Sequence, residues 1–316
     1  MPSQEQPRLP IIDFSPNKLK SGTSHWVSIC NNVRQALEDY GCFVASYDDK
    51  VISSELHNSV FDLLVDLFDL PLETKTQNTS GKPYHGYFGQ NPYMPLNESM
   101  GIEDAQILSR TQNFTNLMWP RGNKRFCDTI YSYSRIVSQL ERSVKSMVFE
   151  SYGVNKYFDS YINSTTYLLR LIKYSVPNEN ESNIGAMSHT DKSFLTILHQ
   201  NDVSGLEIKT KDDRWIHFEP SPSSFIFMAG EAFTAWSNGR IYSPHHRVVM
   251  REDKDRYSLA LFSFNSGTIQ TPKELVDDEN PLQFKPFDHQ GFLRFYSTDE
   301  GQRHPCTIKA YCGVAF

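Results

Sequence analysis

Near residue 165 the sequence changes from helical to strand-like patterns, and this change restricts the fold to a few architectures. The later region contains short runs rich in β-branched and aromatic residues, separated by turn residues: TTYLLRLIKY, SFLTILHQ, GLEIKT, RWIHFEP, SSFIFMAG, HHRVVM and YSLALFSF. Such runs are typical of β-strands. Their spacing fits a sandwich or jelly roll and not βαβ units, so we predict a mainly β fold with added helices.

Three amphipathic helices are predicted before this region. The first covers residues 25–41, ends at Gly41 and has an apolar stripe of Val27, Cys30, Val33 and Leu37. The second begins after a cap at Ser53 or Ser54 and stops at Pro71. The third covers about 124–152, ends before Gly153 and has a stripe of Ile130, Val137, Leu140, Val144 and Val148. We expect these helices to pack on the outside of a β-barrel.

The stretch from Lys82 to Gln112 is rich in aromatic residues, Pro and Gly, and predicts a structured loop region without a long element. No flexible linker separates the helices from the strands. We therefore predict one domain over 1–316, in which 1–164 is mostly helical, 165–290 is the jelly-roll core with the candidate site, and 291–316 is a C-terminal segment.

Charge and composition limit the partners. A net charge of −6 argues against nucleic acid or an anionic membrane as the main partner. No apolar stretch is long enough for a signal peptide or a membrane span, so a cytoplasmic protein is expected. The 5 cysteines show no CxxC pairing, which argues against a disulfide framework or a thiolate zinc site.

A candidate metal motif lies in GAMSHTDKSFLTIL, where His189 and Asp191 are two positions apart. In an extended segment such residues point to one face. His246, in NGRIYSPHHRVVM, begins a later strand and is the third candidate; His245 would point to the opposite face. Two imidazoles and one carboxylate match the facial triad of Fe(II) oxygenases. Zinc would tolerate the same ligands, although the HExxH motif of zinc hydrolases is not found.

The strand DRYSLALFSF carries a candidate anion site. By the period of two, one face holds Arg256, Ser258, Ala260, Phe262 and Phe264. A guanidinium with a neighbouring hydroxyl is suited to holding a carboxylate. The alternative is an arginine in a surface ion pair.

Together these motifs resemble the plant 2-oxoglutarate- and iron-dependent dioxygenases over nearly the whole chain. LPIIDFS and YGCFVAS are similar to the N-terminal opening of the family, HTD and HRV to its iron ligands, and RYS to its RxS clamp. Within the family, LPLETKTQNTSGKPYHGYFGQ, FTAWSNGRIYSPHHRV and KELVDDENPLQFKPF are similar to the glucosinolate side-chain dioxygenases and to hydroxylases of steroidal glycoalkaloids.

The resemblance implies a double-stranded β-helix (jelly-roll) barrel with N-terminal helices packed around it. It implies iron ligands at His189, Asp191 and His246. It also implies that Arg256 and Ser258 hold the distal carboxylate of 2-oxoglutarate, and that Tyr174 adds a hydroxyl. Ile172 departs from the family pattern, which usually has Asn two residues before this tyrosine.

The implied activity is oxidation of a plant specialised metabolite, with succinate and CO2 released. Hydroxylation is expected; desaturation, demethylation and ring formation remain open, as does a non-catalytic ligand-binding or sensor relative that retains the barrel. The implied co-reactants are Fe(II), 2-oxoglutarate, O2 and ascorbate as reductant. The expected partner is a small natural product bound by a monomer.

Eight residues are candidates for substrate contact, namely Tyr84, His85, Tyr87, Phe88, Arg170, Phe194, Phe262 and Phe264. Arg170 could face the mouth of the barrel and pair with an anionic substrate group or with a local carboxylate; the local ion pair is favoured. Phe262 and Phe264 are either an apolar wall or ordinary core residues.

Overall fold

The computed structural model describes residues 8–15, 19–47, 51–179 and 181–314. Its helices are α1 Ser24–Asp39, α2 Ser54–Phe68, α3 Leu72–Lys75, α4 Leu108–Met118, α5 Lys124–Ser151, α6 Phe158–Asn163, α7 Glu231–Trp236, α8 His289–Tyr296, α9 Asp299–Arg303 and α10 Thr307–Cys312. Its strands are β1 Ile11–Asp13, β2 Cys42–Ser46, β3 Asn97–Glu103, β4 Thr165–Tyr174, β5 Ile184–His189, β6 Leu195–Gln200, β7 Leu206–Lys209, β8 Trp215–His217, β9 Ser224–Ala229, β10 His246–Val249, β11 Arg256–Asn265, β12 Thr268–Ile269 and β13 Phe287–Asp288.

Helix α1 forms where the sequence predicts it. It ends at Asp39 with Tyr40 as its C-cap, and Gly41 has φ +71°, a conformation that favours glycine. A Cβ on Gly41 would lie 2.3 Å from the carbonyl oxygen of Tyr242, so close packing also requires glycine. The predicted place of Val27 on the apolar stripe is wrong, because Val27 is 51% exposed and the inward position is taken by Trp26.

The other predicted helices are confirmed with small changes. Ser53 caps α2, since its hydroxyl accepts a hydrogen bond from the Leu56 N–H at 3.1 Å. On α5, four stripe residues are buried, whereas Leu140 is partly buried. The residues between Lys82 and Gln112 are more ordered than expected, since they include β3 and the first turn of α4.

Strand β3 escaped prediction because its sequence NESMGIE has weak strand propensity. Tertiary contacts hold it in place: it pairs antiparallel with β4, and the Asn78 side chain bonds both the N–H and the carbonyl of Gly101. This strand matters for function because it forms one edge of the cleft described below.

The strands form a sandwich of two main sheets. One sheet has 7 strands in the order β1-β2-β9-β6-β11-β4-β3, and the other has 4 strands in the order β5-β10-β7-β8. Among the described pairings of these two sheets only β1 with β2 is parallel. The predicted jelly-roll class is confirmed.

The two faces of the larger sheet bury different residues. Alternate side chains of β4, β6, β9 and β11 belong to a core shared with the helices, which includes Leu169, Leu171, Leu259 and Leu261. The opposite face shares a smaller core with the second sheet, which includes Tyr174, Met228, Leu206 and Val248. The helices therefore cover the outer face, and the space between the sheets is left for a site.

Two further predictions bear on the chemistry of the chain. All five cysteines are free, and all but Cys306 are buried. Across the described ranges, the structure contains no helix of the length and hydrophobicity that crossing a bilayer demands.

Candidate active site

Three candidate ligands converge between β5 and β10. His189 ends β5 and lies directly opposite His246, the first residue of β10, in the antiparallel ladder. Asp191 follows two residues after His189. Its Oδ1 lies 3.8 Å from His189 Nε2 and 3.7 Å from His246 Nε2. Because the donor atoms all lie within 4.8 Å of one another, the three residues can bind one metal ion.

Hydrogen bonds orient all three side chains toward the same point. The Nδ1 of His189 lies 2.8 Å from the Met187 carbonyl, and the Nδ1 of His246 lies 3.4 Å from that of Pro244. A carbonyl only accepts, so each Nδ1 carries the proton and each Nε2 keeps a free lone pair. The Thr196 hydroxyl donates to Asp191 Oδ2 at 2.6 Å, which leaves Oδ1 for the metal.

The loop that carries Asp191 is held by a second set of polar contacts. The Lys192 ammonium donates to the Thr190 carbonyl at 2.9 Å and to Glu231 Oε1 at 2.7 Å. The Glu231 N–H donates to the Asp191 carbonyl at 2.8 Å, and Glu231 Oε2 accepts from the Ile308 N–H at 2.7 Å. The Asp191 backbone is thereby tied to α7 and to α10.

The adjacent residues His245 and His246 have different environments. His246 is buried, and burial together with nearby His189 lowers its pKa, so its imidazole is neutral at pH 7 as metal binding requires. His245 is exposed and lies 3.5 Å from the Ser188 hydroxyl. His246 is thus the member of the pair that lies in the cluster.

Arg256 provides a buried positive charge that faces the same space between the sheets as the three candidate metal ligands. It is 1% exposed, its Nη2 donates to Gln200 at 2.7 Å, and its Nη1 lies 3.5 Å from the Ser258 hydroxyl. Its guanidinium carbon lies 5.1 Å from the centre of the Tyr174 ring. Burial lowers the pKa of Arg256, but the group stays charged at pH 7.

Within the described ranges, the Arg256 charge lacks a counter-ion from the protein. Among the described residues no carboxylate lies within 4.0 Å of it, and its Nε has no hydrogen-bond partner. Burying an unpaired guanidinium is costly, so a ligand carboxylate at this position would be strongly stabilised. The arrangement fits one end of a dicarboxylate.

A cavity of about 70 Å³ joins the metal cluster to Arg256. Apolar side chains complete its walls, among them Ile172, Leu198, Met228 and Val248. Ile172 stands where the family that the sequence resembles usually has Asn, so this part of the wall offers no hydrogen bond. The cavity thus offers metal ligands, a cation, the hydroxyl-bearing side chains Tyr174 and Thr196, and a mainly apolar remainder.

A second cavity, of about 740 Å³, lies outside the first, and we call it the outer cleft. His189, Ile172, Tyr174, Ala186 and Phe262 line both cavities, so the two are neighbours at the metal cluster. Of the predicted substrate contacts, the outer cleft contains Tyr84, Tyr87, Phe88, Arg170 and Phe262.

The outer cleft also has lining residues that sequence reasoning missed. Met187 shares the face of His189 by the period of two and could have been found by that signal. Tyr296 comes from α8, and Ser99 comes from the unpredicted strand β3. Neither carries a sequence signal for this position.

Three predicted substrate contacts lie outside the outer cleft and are corrected. His85 is buried, with Nδ1 2.7 Å from the Pro83 carbonyl and its ring 5.5 Å from that of Phe264. Phe264 is 6% exposed and packs with Leu168 and Leu293. Phe194 precedes β6, so strand alternation does not apply to it; its ring lies 4.0 Å from that of Phe233 in the helical core.

The favoured local ion pair of Arg170 is also wrong. No carboxylate of the described chain lies within 4.0 Å of its guanidinium. Instead, Nη1 donates to the carbonyls of Tyr84 and of Gly86, the latter at 3.0 Å, and Nη2 donates to the Ser99 hydroxyl. Burial lowers the pKa of Arg170 to about 10, so it remains a cation at pH 7.

Known proteins resemble this chain over most of its length. The model of the 2OG-Fe(II) oxygenase superfamily matches residues 164–265, and that of the non-haem dioxygenase in morphine synthesis N-terminal region matches residues 9–99. The chain is 46% identical over 313 residues to the probable 2-oxoglutarate-dependent dioxygenase AOP1 of Arabidopsis thaliana, covering 96% of this chain and 95% of the relative. It is 35% identical to the 2-oxoglutarate-dependent dioxygenase AOP3 of that plant, covering 98% of each.

A solved structure shows the same fold. The binary complex of an Arabidopsis thaliana dioxygenase for auxin oxidation with 2-oxoglutarate superposes with a TM-score of 0.77 at 27% identity, covering 87% of this chain and 100% of that one. The chain belongs to the 2OG-Fe(II) oxygenase superfamily. It is an oxidoreductase that uses Fe(II) and 2-oxoglutarate, as the resemblance in its sequence predicted.

Proposed function

We propose that this enzyme inserts oxygen into a small natural product of plant specialised metabolism. In the balanced reaction, a substrate C–H bond, O2 and 2-oxoglutarate give a C–OH bond, succinate and CO2. The observation that carries the proposal is the position of the 70 Å³ cavity, which touches the three metal-binding side chains, the unpaired Arg256 and the outer cleft. Desaturation, demethylation or ring formation would begin at the same C–H bond.

His189, Asp191 and His246 would hold Fe(II), which supplies the activation of O2. Two neutral imidazoles and one carboxylate leave open positions for a co-substrate. Arg256 and Ser258 would hold the distal carboxylate of 2-oxoglutarate, with the Tyr174 hydroxyl as a third contact. The support is the buried guanidinium, which has no counter-ion in the part of the chain that the structure describes. These residues would orient the co-substrate before O2 is consumed.

The outer cleft would hold the substrate. Tyr84, Tyr87, Phe88 and Phe262 offer apolar surfaces, and hydroxyls at two of these positions add polar contacts. Such walls would also keep water from the reacting carbon. The cleft volume of about 740 Å³ is in the range that accepts a bulky, partly oxygenated molecule.

Other properties of the chain complete the proposal. Residues 165–290 would be the catalytic core of a single dioxygenase domain, with 1–164 and 291–316 as its helical surroundings. The enzyme would act as a cytoplasmic monomer that binds neither nucleic acid nor membranes, with ascorbate keeping the iron reduced. The net charge of −6 supports the exclusion of nucleic acid.

The test is release of succinate from 2-oxoglutarate in the presence of Fe(II), ascorbate and O2, coupled to a mass-spectrometric screen of plant metabolite extracts. We expect succinate formation above the enzyme-free rate, and a product that has gained one oxygen atom. Binding of 2-oxoglutarate without succinate formation from any extract would favour the non-catalytic sensor alternative.

A further inference from the structure

The charges that line the outer cleft are all positive. Among the described residues its lining includes Lys82 and Arg170 but no Asp or Glu, although the whole chain has a net charge of −6. Lys82 is already neutralised by Glu103. The neighbouring Glu98 pairs with Lys75 at 2.8 Å. Arg170 is therefore the cation of the cleft whose charge remains uncompensated within the described residues.

The surroundings of Arg170 fix its position without cancelling its charge. It lies in the middle of β4, between β3 and β11. Its hydrogen-bond acceptors are two backbone carbonyls and the Ser99 hydroxyl, all of which are neutral. A guanidinium that is held this way has lost most of its conformational freedom before a ligand arrives, which favours binding of an anion.

The 2-oxoglutarate proposed for the inner cavity cannot supply this anion. In the β4–β11 ladder, Arg256 lies opposite Tyr174, whereas Arg170 lies opposite Ala260. Four residues along a strand correspond to about 13 Å. A co-substrate whose distal carboxylate sits at Arg256 and whose other end reaches the metal ligands is too short to reach Arg170 as well.

We propose that the substrate carries a carboxylate and that Arg170 recognises it in the outer cleft. The uncharged part of the substrate then lies against Met187, Phe262 and Tyr296, which line the same cleft. The inference rests on the proposed function and adds the substrate class to it. Arg170 thus determines specificity, whereas Arg256 serves the co-substrate.

The test compares matched ligands that differ only in charge. The full chain is loaded with Mn(II) and saturating 2-oxoglutarate, which occupies the inner cavity without turnover. Isothermal titration calorimetry then measures the dissociation constants of three carboxylates, namely 1-naphthaleneacetate, 4-phenylbutyrate and cholate. Each value is compared with the dissociation constant of the corresponding primary amide. We expect at least one carboxylate to bind about tenfold or more tightly than its amide, because a charge-assisted hydrogen bond is lost in the amide.

Two variants of Arg170 test whether this residue causes the preference for the carboxylate over the amide. Arg170→Gln should reduce the carboxylate-to-amide ratio to about one, whereas Arg170→Lys, which keeps the charge, should retain part of it. The matched control is Lys173→Gln on the same strand; Lys173 pairs with Asp255 at 3.0 Å and does not line the outer cleft. This control also removes one positive charge and should leave the ratio unchanged.

The possible outcomes distinguish failure of the inference about Arg170 from failure of the proposed function. If no carboxylate binds better than its amide, the inference is overturned. It is also overturned if Arg170→Gln weakens both ligands equally, since Arg170 is then only an anchor for the loop at Tyr84 and Gly86. If instead 2-oxoglutarate itself does not bind and no succinate forms, the proposed function fails.

Discussion

Phe262 and Phe264 are two residues apart on one face of β11, yet the structure assigns them different surroundings. Phe264 is 6% exposed and packs with Leu168 and Leu293, and its ring lies 5.1 Å from that of His289. Phe262 is partly buried and lines both the inner cavity and the outer cleft. We therefore expect Phe264→Ala to affect stability and Phe262→Ala to affect the reaction.

The size of the stability effect follows from burial. Removing a buried phenylalanine side chain costs about 3–5 kcal/mol. With an unfolding entropy of about 2.1 cal/mol/K per residue, the 316 residues give about 0.66 kcal/mol/K. Phe264→Ala should thus lower Tm by about 5–8 °C. Because Phe262 is partly solvated, its replacement should cost about 1–3 kcal/mol, or about 2–5 °C.

The effect on the reaction should be larger for Phe262→Ala than for Phe264→Ala. Loss of an apolar contact of about 1–3 kcal/mol should raise KM or change the product distribution in Phe262→Ala. Oxidation of 2-oxoglutarate without substrate should continue in both variants. Thermal unfolding and product analysis are performed on the same preparations. Equal losses of Tm, or altered products from Phe264→Ala with wild-type products from Phe262→Ala, would refute the assignment.

Two further predictions concern the inner cavity. Arg256→Lys should raise the KM for 2-oxoglutarate about tenfold to a hundredfold, because an ammonium cannot replace a planar fork of charged donors; steady-state succinate formation measures this, and an unchanged KM removes Arg256 from the role. His246→Ala should lose iron and turnover but stay folded, whereas the exposed His245→Ala should keep both. Metal analysis and circular dichroism check this pair, and equal iron loss contradicts it.

Sequence patterns located the chemistry best where the backbone is regular. Strand β11 runs unbroken over Arg256–Asn265, so the period of two correctly put Arg256, Ser258 and Phe262 on one face. Phe194, a predicted substrate contact, lies just before β6 and packs in the helical core instead. Alternation carries information only inside a strand, and the start of a strand is poorly visible in sequence.

Sequence patterns also did not predict contacts between segments that are far apart in the chain. Arg170 donates hydrogen bonds to the backbone carbonyls of residues 84 and 86. Every residue type has such a carbonyl, so the residue types at these positions do not predict the contacts. Tyr84 has φ +65°, an unusual conformation for a residue other than glycine. The sequence therefore indicates a position for Arg170 near the barrel mouth but does not indicate its partners.

The link from Asp191 through Glu231 to Ile308 has a consequence for how the enzyme acquires its metal. The Glu231 carboxylate receives a backbone N–H from α10, and its own N–H holds the Asp191 carbonyl. During synthesis the ribosome completes the HTD and HRV segments long before it reaches residue 308. Until α10 docks, Glu231 lacks this donor and the Asp191 loop lacks one of its supports. We therefore expect docking of α10 to strengthen metal binding by the nascent chain.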